Sequence, residues 1–309
     1  MMLLTDDEYQ SVTARQLWPE GAWPCCSPDG KQVVFTGHLG SRNSCLMLLS
    51  LDEVGAEPQV ITPLDINARR PAWLAQGRQI AFNNGQRSIW TLDLETGLLA
   101  PFLPDLGPNG RAYLHPCAYP AERAVVVVSQ YQTKKGRAAV LYKLAPAADN
   151  PVSQLTTFPE VCAGRPGISP DGKQVIFAGN SGRFNQGANQ LWLVGLNGVL
   201  QRLEQGDDHL IQGRAPRWSP DGQWIACTST RPKPTPDEQT PRAVWIISVD
   251  GKQAYRLTDH TLNPLHVVWT PDQQQIICGG DSCALTILTL PEPFHRRLPT
   301  NVNQCRPGQ

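Results

Sequence analysis

The sequence lacks most of the features that assign a function directly. No stretch approaches the ~18 apolar residues of a transmembrane helix. The start, Met1-Met2-Leu3-Leu4-Thr5-Asp6-Asp7-Glu8, has no basic segment, and its apolar run is too short for a signal peptide. The expected compartment is therefore the cytoplasm, with the periplasm as the alternative if a leader has been removed. There is no Cys-x-x-Cys pair and no Gly-x-Ser-x-Gly nucleophile elbow. The net charge is zero and only 17% of residues are charged, so bulk electrostatics point to neither nucleic acid nor membrane. No window carries a helical apolar period.

Nine cysteines leave an odd thiol in any pairing scheme. Cys26, Cys227 and Cys278 stand where other units of the chain carry Trp, Phe or another apolar residue, so they read as core thiols of a reducing compartment. Cys278 and Cys283 flank a loop, but a metal would need two further ligands that the sequence does not place. No metal and no cofactor is expected.

What is present is a repeat. Ser27-Pro28-Asp29-Gly30, Ser169-Pro170-Asp171-Gly172 and Ser219-Pro220-Asp221-Gly222 are full copies of one turn, and Thr270-Pro271-Asp272-Gln273 is a near copy. Leu74-Ala75-Gln76-Gly77 and Tyr119-Pro120-Ala121-Glu122 are degraded copies. Pro presets φ for the turn, Asp bonds the backbone two residues on, and Gly accepts positive φ. The aligned positions 28, 75, 120, 170, 220 and 271 are 45 to 51 residues apart. Such a period marks a propeller or a solenoid. After each turn comes an apolar strand, a loop of variable length, a third strand (45–51, 88–94, 139–144, 190–196, 243–249, 284–290) and a short polar strand (59–62, 99–103, 152–157, 200–203, 254–258, 295–298). The reading is all-β: a six-bladed β-propeller with four antiparallel strands per blade, over residues 20–300.

Residues 1–19 precede the first blade, and 301–309 form a polar tail. Ala14-Arg15-Gln16-Leu17-Trp18 resembles the outer-strand pattern Tyr255-Arg256-Leu257-Thr258, and His295-Arg296-Arg297-Leu298 competes with it to close the ring. The sequence leaves that choice open.

Pro-x-Trp-Ser-Pro-Asp-Gly, as in residues 216–222, followed by Gln190-Leu191-Trp192-Leu193-Val194, Asp250-Gly251 and Arg256-Leu257-Thr258 type elements, resembles the TolB-type propeller repeat. It is similar also to the propeller of prolyl-oligopeptidase-class proteins, and WD-like in layout. The resemblance covers about residues 20–300 and is strong for units 1, 4, 5 and 6. It implies a blade, not a catalytic signature, and there is no room for the hydrolase domain that prolyl-oligopeptidase relatives carry.

Strand direction puts the Ser-Pro-Asp-Gly turns on one face, the bottom, and the variable second-to-third loops on the other, the top. Variable loops on a rigid scaffold are where binding concentrates. The top loops carry Arg42, Arg87, Lys134, Lys135, Arg137, Arg183, Arg231, Lys233 and Arg242 against Asp237, Glu238 and Asp281: nine bases to three acids. Arg137, Arg183, Arg231 and Lys233 are the expected loop contacts. Nearer the axis, the residue at the start of each innermost strand is Trp23, Arg70, His115, Arg165, Ala215 with Arg214 beside it, and His266. A closed ring gathers Trp23, Arg70, His115, Arg165, Arg214 and His266 at the channel mouth. Two readings stand side by side: solvated or salt-bridged strand ends, or a site for an anion, since guanidinium groups grip carboxylate and phosphate in two-pronged fashion.

Asp29, Asp171, Asp221 and Asp272 read as turn formers, and Trp73, Trp218 and Trp269 as packing between blades. No catalytic residue is assigned. The expected function is non-enzymatic: a recognition or scaffold propeller that binds a protein or peptide, acidic in character, on its basic top face. The alternative is a carbohydrate-active lyase or hydrolase acting on an acidic oligosaccharide at the channel mouth. Oligogalacturonate lyases share this kind of propeller but use a histidine cluster on a metal, which has no residue-by-residue match here. A small anion is the third ligand class considered.

Overall fold

A computed structural model of the protein describes residues 12–40, 43–103, 112–133, 136–157, 162–180, 190–203, 214–230, 241–280 and 282–295. It contains 24 strands and two single turns of 3-10 helix, Leu64–Ile66 and Glu292–Phe294. The first strand, β1 (Thr13–Trp18), belongs to the last blade. Blade 1 is β2 (Ala22–Cys26), β3 (Gln32–His38), β4 (Ser44–Ser50) and β5 (Gln59–Val60). Blade 2 is β6 (Arg69–Trp73), β7 (Gln79–Asn83), β8 (Ile89–Asp93) and β9 (Leu99–Pro101). Blade 3 is β10 (Ala112–Ala118), β11 (Val125–Thr133), β12 (Gly136–Leu144) and β13 (Val152–Gln154). Blade 4 is β14 (Cys162–Ile168), β15 (Gln174–Asn180), β16 (Gln190–Gly195) and β17 (Leu200–Arg202). Blade 5 is β18 (Arg214–Trp218), β19 (Trp224–Ser229), β20 (Ala243–Ser248) and β21 (Ala254–Arg256). Blade 6 joins β22 (His266–Trp269), β23 (Gln275–Gly280) and β24 (Cys283–Thr289) to β1 as its outer strand. All pairings are antiparallel, and each sheet has four strands. Among the described residues no helix is long and apolar enough to cross a membrane.

The core is six clusters, one in each gap between neighbouring blades. Strand period 2 explains this. Val33 and Phe35 of β3 face the cluster shared with blade 6, while Val34 between them faces the one shared with blade 2. Likewise Val126 and Val128 pack toward blade 4, and Val125 and Val127 toward blade 2. Both faces of a middle strand are thus buried, so these strands read as unbroken apolar runs, not as alternating ones. The repeat tryptophans clamp the gaps: Trp73 Nε1 donates to the Cys25 carbonyl (3.0 Å) and Trp269 Nε1 to the Arg217 carbonyl (3.2 Å), each in the preceding blade. Cys25, Cys26, Cys45, Cys117, Cys227 and Cys278 are free thiols. Burial pushes Cys227 and Cys278 up to about 12, which leaves them protonated and unreactive at neutral pH.

The bottom turns carry the repeat chemistry. In each intact copy the Ser hydroxyl donates to the Asp carboxylate, as in Ser169 to Asp171 (2.6 Å), and the Asp accepts a backbone N–H two residues on. The hydroxyl bond holds Asp29 and Asp171 below the usual carboxylate range. These acids build turns. Each turn glycine (φ 68–76°) faces the proline ring of the preceding blade's turn: Gly77 to Pro28, Gly172 to Pro120, Gly222 to Pro170 and Gly30 to Pro271. Between blades 5 and 6, Gln273 replaces the glycine and bonds Asp221 and the Phe294 carbonyl instead. Between blades 2 and 3 both partners are lost, to Ala75 and Glu122. A cavity of about 80 Å³ remains there, lined by Leu74, Ala75, Gln76, Gln79, Ala121, Glu122 and Arg123. Ala75 occupies the second position of a turn closed by the Gly77 N–H to Leu74 carbonyl bond (2.9 Å). Ala75→Pro restores the missing ring where Pro is favoured. It is expected to stabilise by about 0.4–1 kcal/mol, read as a higher urea midpoint with unchanged slope.

Candidate functional site at the channel mouth

Proline shapes the mouth. Inner strands β2, β6, β10, β14 and β18 each slip register once, at Ala22/Cys25, Arg69/Ala72, Leu114/Cys117, Gly164/Gly167 and Arg214/Arg217. Each slip brackets an X-Pro step: Trp23-Pro24, Arg70-Pro71, His115-Pro116, Arg165-Pro166 and Ala215-Pro216. An inner strand is the channel edge of its sheet, so a proline without an N–H is tolerated there. The residue before it is held at φ 45–57°. Such bulges re-aim side chains. Repetition in five blades makes this backbone a property of the fold. β22 has no proline, and His266 pairs in normal register with Gly279.

Three of the five bulged N–H groups are satisfied by the preceding blade. Arg70 N–H donates to Thr36 Oγ1 (3.0 Å) and His115 N–H to Asn83 Oδ1 (2.9 Å). Gly279 stands in the equivalent place of blade 6 and offers no side chain. There Trp23 N–H donates to His266 Nδ1 (3.4 Å).

The side chains converge on Trp23. Its ring lies 3.6 Å from that of His266 and 4.8 Å from that of His115, centroid to centroid. The guanidinium carbons of Arg165 and Arg70 lie 4.7 Å and 5.0 Å from the Trp23 ring centre. Cation–π contacts of this kind are worth about 1–2 kcal/mol where water is excluded. Arg165 Nη1 donates to the Leu265 carbonyl (3.3 Å), and Arg217 Nη1 to those of Pro166 and Pro216 (2.9 Å each). Burial, reinforced by the cations of Arg70, Arg165 and Arg217, pushes both imidazoles well below the ordinary histidine range. Both are neutral at pH 7. The free space among these groups is about 20 Å³, room for one or two waters.

Five of the six expected mouth residues, Trp23, Arg70, His115, Arg165 and His266, line this cavity. Arg214 does not. It is locked in the ladder opposite Thr228, just before the bulge, and Arg217 after the bulge takes the place. The aligned repeats carry the signal for Arg217: the residue after Pro is small or apolar elsewhere (Cys25, Ala72, Cys117, Gly167). Of the expected loop contacts, Arg137 is on β12 with its backbone opposite Gln132. Arg183, Arg231 and Lys233 lie outside the described residues. Among the described residues no group of three His, Cys, Asp or Glu side chains could hold a metal. Two imidazoles ringed by three guanidinium cations suit an anion better than a cation.

The same architecture occurs in solved structures. TolB from Acinetobacter baumannii matches with a TM-score of 0.56 and 19% identity over 76% of this chain. This chain spans 53% of that one. In fold, the chain is a TolB-like propeller. A gluconolactonase from Xanthomonas campestris matches this TolB-like chain with a TM-score of 0.67 at 15% identity, covering 92% of it and 91% of the enzyme. An oligogalacturonate lyase in complex with manganese matches with a TM-score of 0.56 at 13% identity over 92% of each chain. No family model matches the sequence, and no curated protein does. At these identities the shared property is the TolB-like fold. It is common to a TolB and to two enzymes, so the function must be argued from the site.

Proposed function

We propose that this propeller is a non-enzymatic recognition module whose top face binds a protein or peptide through an acidic element placed over the channel mouth. The observation that carries the reading is the closed, cationic mouth. Trp23 is packed among Arg70, Arg165, His115 and His266, and about 20 Å³ is left free. A space of this size does not enclose a sugar-sized substrate. A surface ligand can lie across it and meet the guanidinium groups. In sequence, the second-to-third loops carry nine basic residues against three acidic ones, the same sign of charge.

The test is capture from native lysate by wild type, by Arg70→Ala/Arg165→Ala/Arg214→Ala and by Arg70→Ala/Arg165→Ala/Arg217→Ala. The expected result is an acid-rich partner, with affinity reduced at least tenfold by the variant carrying Arg217→Ala, the cost of about one good charged contact. A partner held equally by all three baits would move the site off the mouth. The runner-up reading is a lyase or hydrolase on an acidic oligosaccharide, favoured by the fold shared with oligogalacturonate lyase. It requires that one His115 or His266 substitution abolish turnover while binding persists.

A further inference from the structure

We infer that the cavity beneath Trp23 holds one small monatomic anion of the chloride class, taken up from solution independently of any partner. Three observations point there. First, the tautomer of His266 is set. Its Nδ1 accepts the Trp23 N–H, so the single proton of the neutral ring is on Nε2. That Nε2–H is buried in a residue only 3% exposed and has no acceptor among the described residues. Second, the charge facing the cavity has one sign. Arg70, Arg165 and Arg217 line it, and among the described residues no carboxylate does. Arg217 gives two hydrogen bonds from Nη1 to the carbonyls of Pro166 and Pro216, which take up that nitrogen's two hydrogens without cancelling the charge. Third, the free space is about 20 Å³, room for one or two waters, which suits a single monatomic ion and does not enclose sulfate, phosphate or a sugar acid. A donor without an acceptor, cationic walls and a space of one or two waters together point to a halide. Water would satisfy the Nε2–H and leave the Arg217 charge, which its two carbonyl partners do not cancel.

The assay is thermal unfolding of the full chain at pH 7.5 and constant ionic strength, with chloride replacing isethionate in steps. The expected result is a saturable rise in Tm of about 3–6 °C once chloride reaches some hundred times its Kd. Arg217→Gln and Arg70→Gln should each cut that increment to less than a third. The increment compares two anions within one variant, so a variant less stable in both still reports. Equal Tm in the two anions would overturn the inference, as would an unchanged increment in both variants. A larger increment with acetate than with chloride would overturn the halide assignment. No partner is present, so failure here is separate from failure of the recognition reading.

Discussion

Lowering the pH from 7 to 5 is expected to destabilise the protein through His266 and His115, by up to about 2 kcal/mol for each imidazole that stays neutral in the folded state. The two imidazoles are held neutral in the folded state, first by burial and then by Arg70, Arg165 and Arg217. In the unfolded chain they titrate at the ordinary histidine value of about 6.5. Below that pH the unfolded state takes up protons that the folded state refuses. Stability is therefore fully present above pH 6.5 and falls with acidification. Asp29, Asp171, Asp250 and Asp259 are held below the ordinary carboxylate range by hydroxyl and backbone hydrogen bonds. Their contribution is lost only below about pH 4–5, outside this window. Urea unfolding at pH 7, 6 and 5 measures the slope, and His115→Gln/His266→Gln should flatten it. A wild-type protein equally stable at pH 7 and 5 would show that the imidazoles are reached by water in the folded state.

The prediction follows from a cluster only partly legible in the sequence. The turn repeat marked the blades because Ser-Pro-Asp-Gly closes its own turn, through bonds such as Ser169 to Asp171, without tertiary help. Aligning those turns was enough to bring Trp23, Arg70, His115, Arg165 and His266 to one place. The register slip was not visible, since a bulge is a property of the strand pair and not of the residue. This is why Arg214 was expected where Arg217 lies. Nor does alignment show how full the mouth is. Whether five large side chains leave a pocket or a plug depends on contacts such as the 3.6 Å stacking of Trp23 on His266. The outer strands proved two or three residues long in blades 1 to 5, shorter than their polar patterns suggested; in blades 1, 3 and 5 the ladder ends where Thr62, Thr156 and Thr258 accept a third-strand N–H on the hydroxyl instead.

Deleting residues 1–18 is expected to cost about 5 kcal/mol or more and to lower Tm by about 10 °C or more. Two terminal segments match the outer-strand pattern, and the structure gives the place to the first. Ala14 pairs with Leu288, Arg15 with Ile287 and Gln16 with Thr286. Just before the second, Phe294 is buried against Trp224 and Tyr255, and Gln273 holds its carbonyl; residues 296–298 lie outside the described residues. The ring is therefore closed by strand pairing between the two ends of the chain. Leu17 and Trp18 cover Leu285 and Ile287 in the cluster between blades 6 and 1, a burial worth about 3 kcal/mol. The inner side of the same seam is tight. Gly21 donates to the Cys283 carbonyl, and a Cβ on Gly279 would collide with the Gly21 carbonyl oxygen. Without β1, β24 becomes an open edge with unpaired backbone groups, which invites self-association. A synthetic peptide of residues 12–18 should restore part of the lost Tm by adding the strand in trans. A truncated chain that melts within about 2 °C of wild type would mean that the six inter-blade clusters hold the ring without the seam.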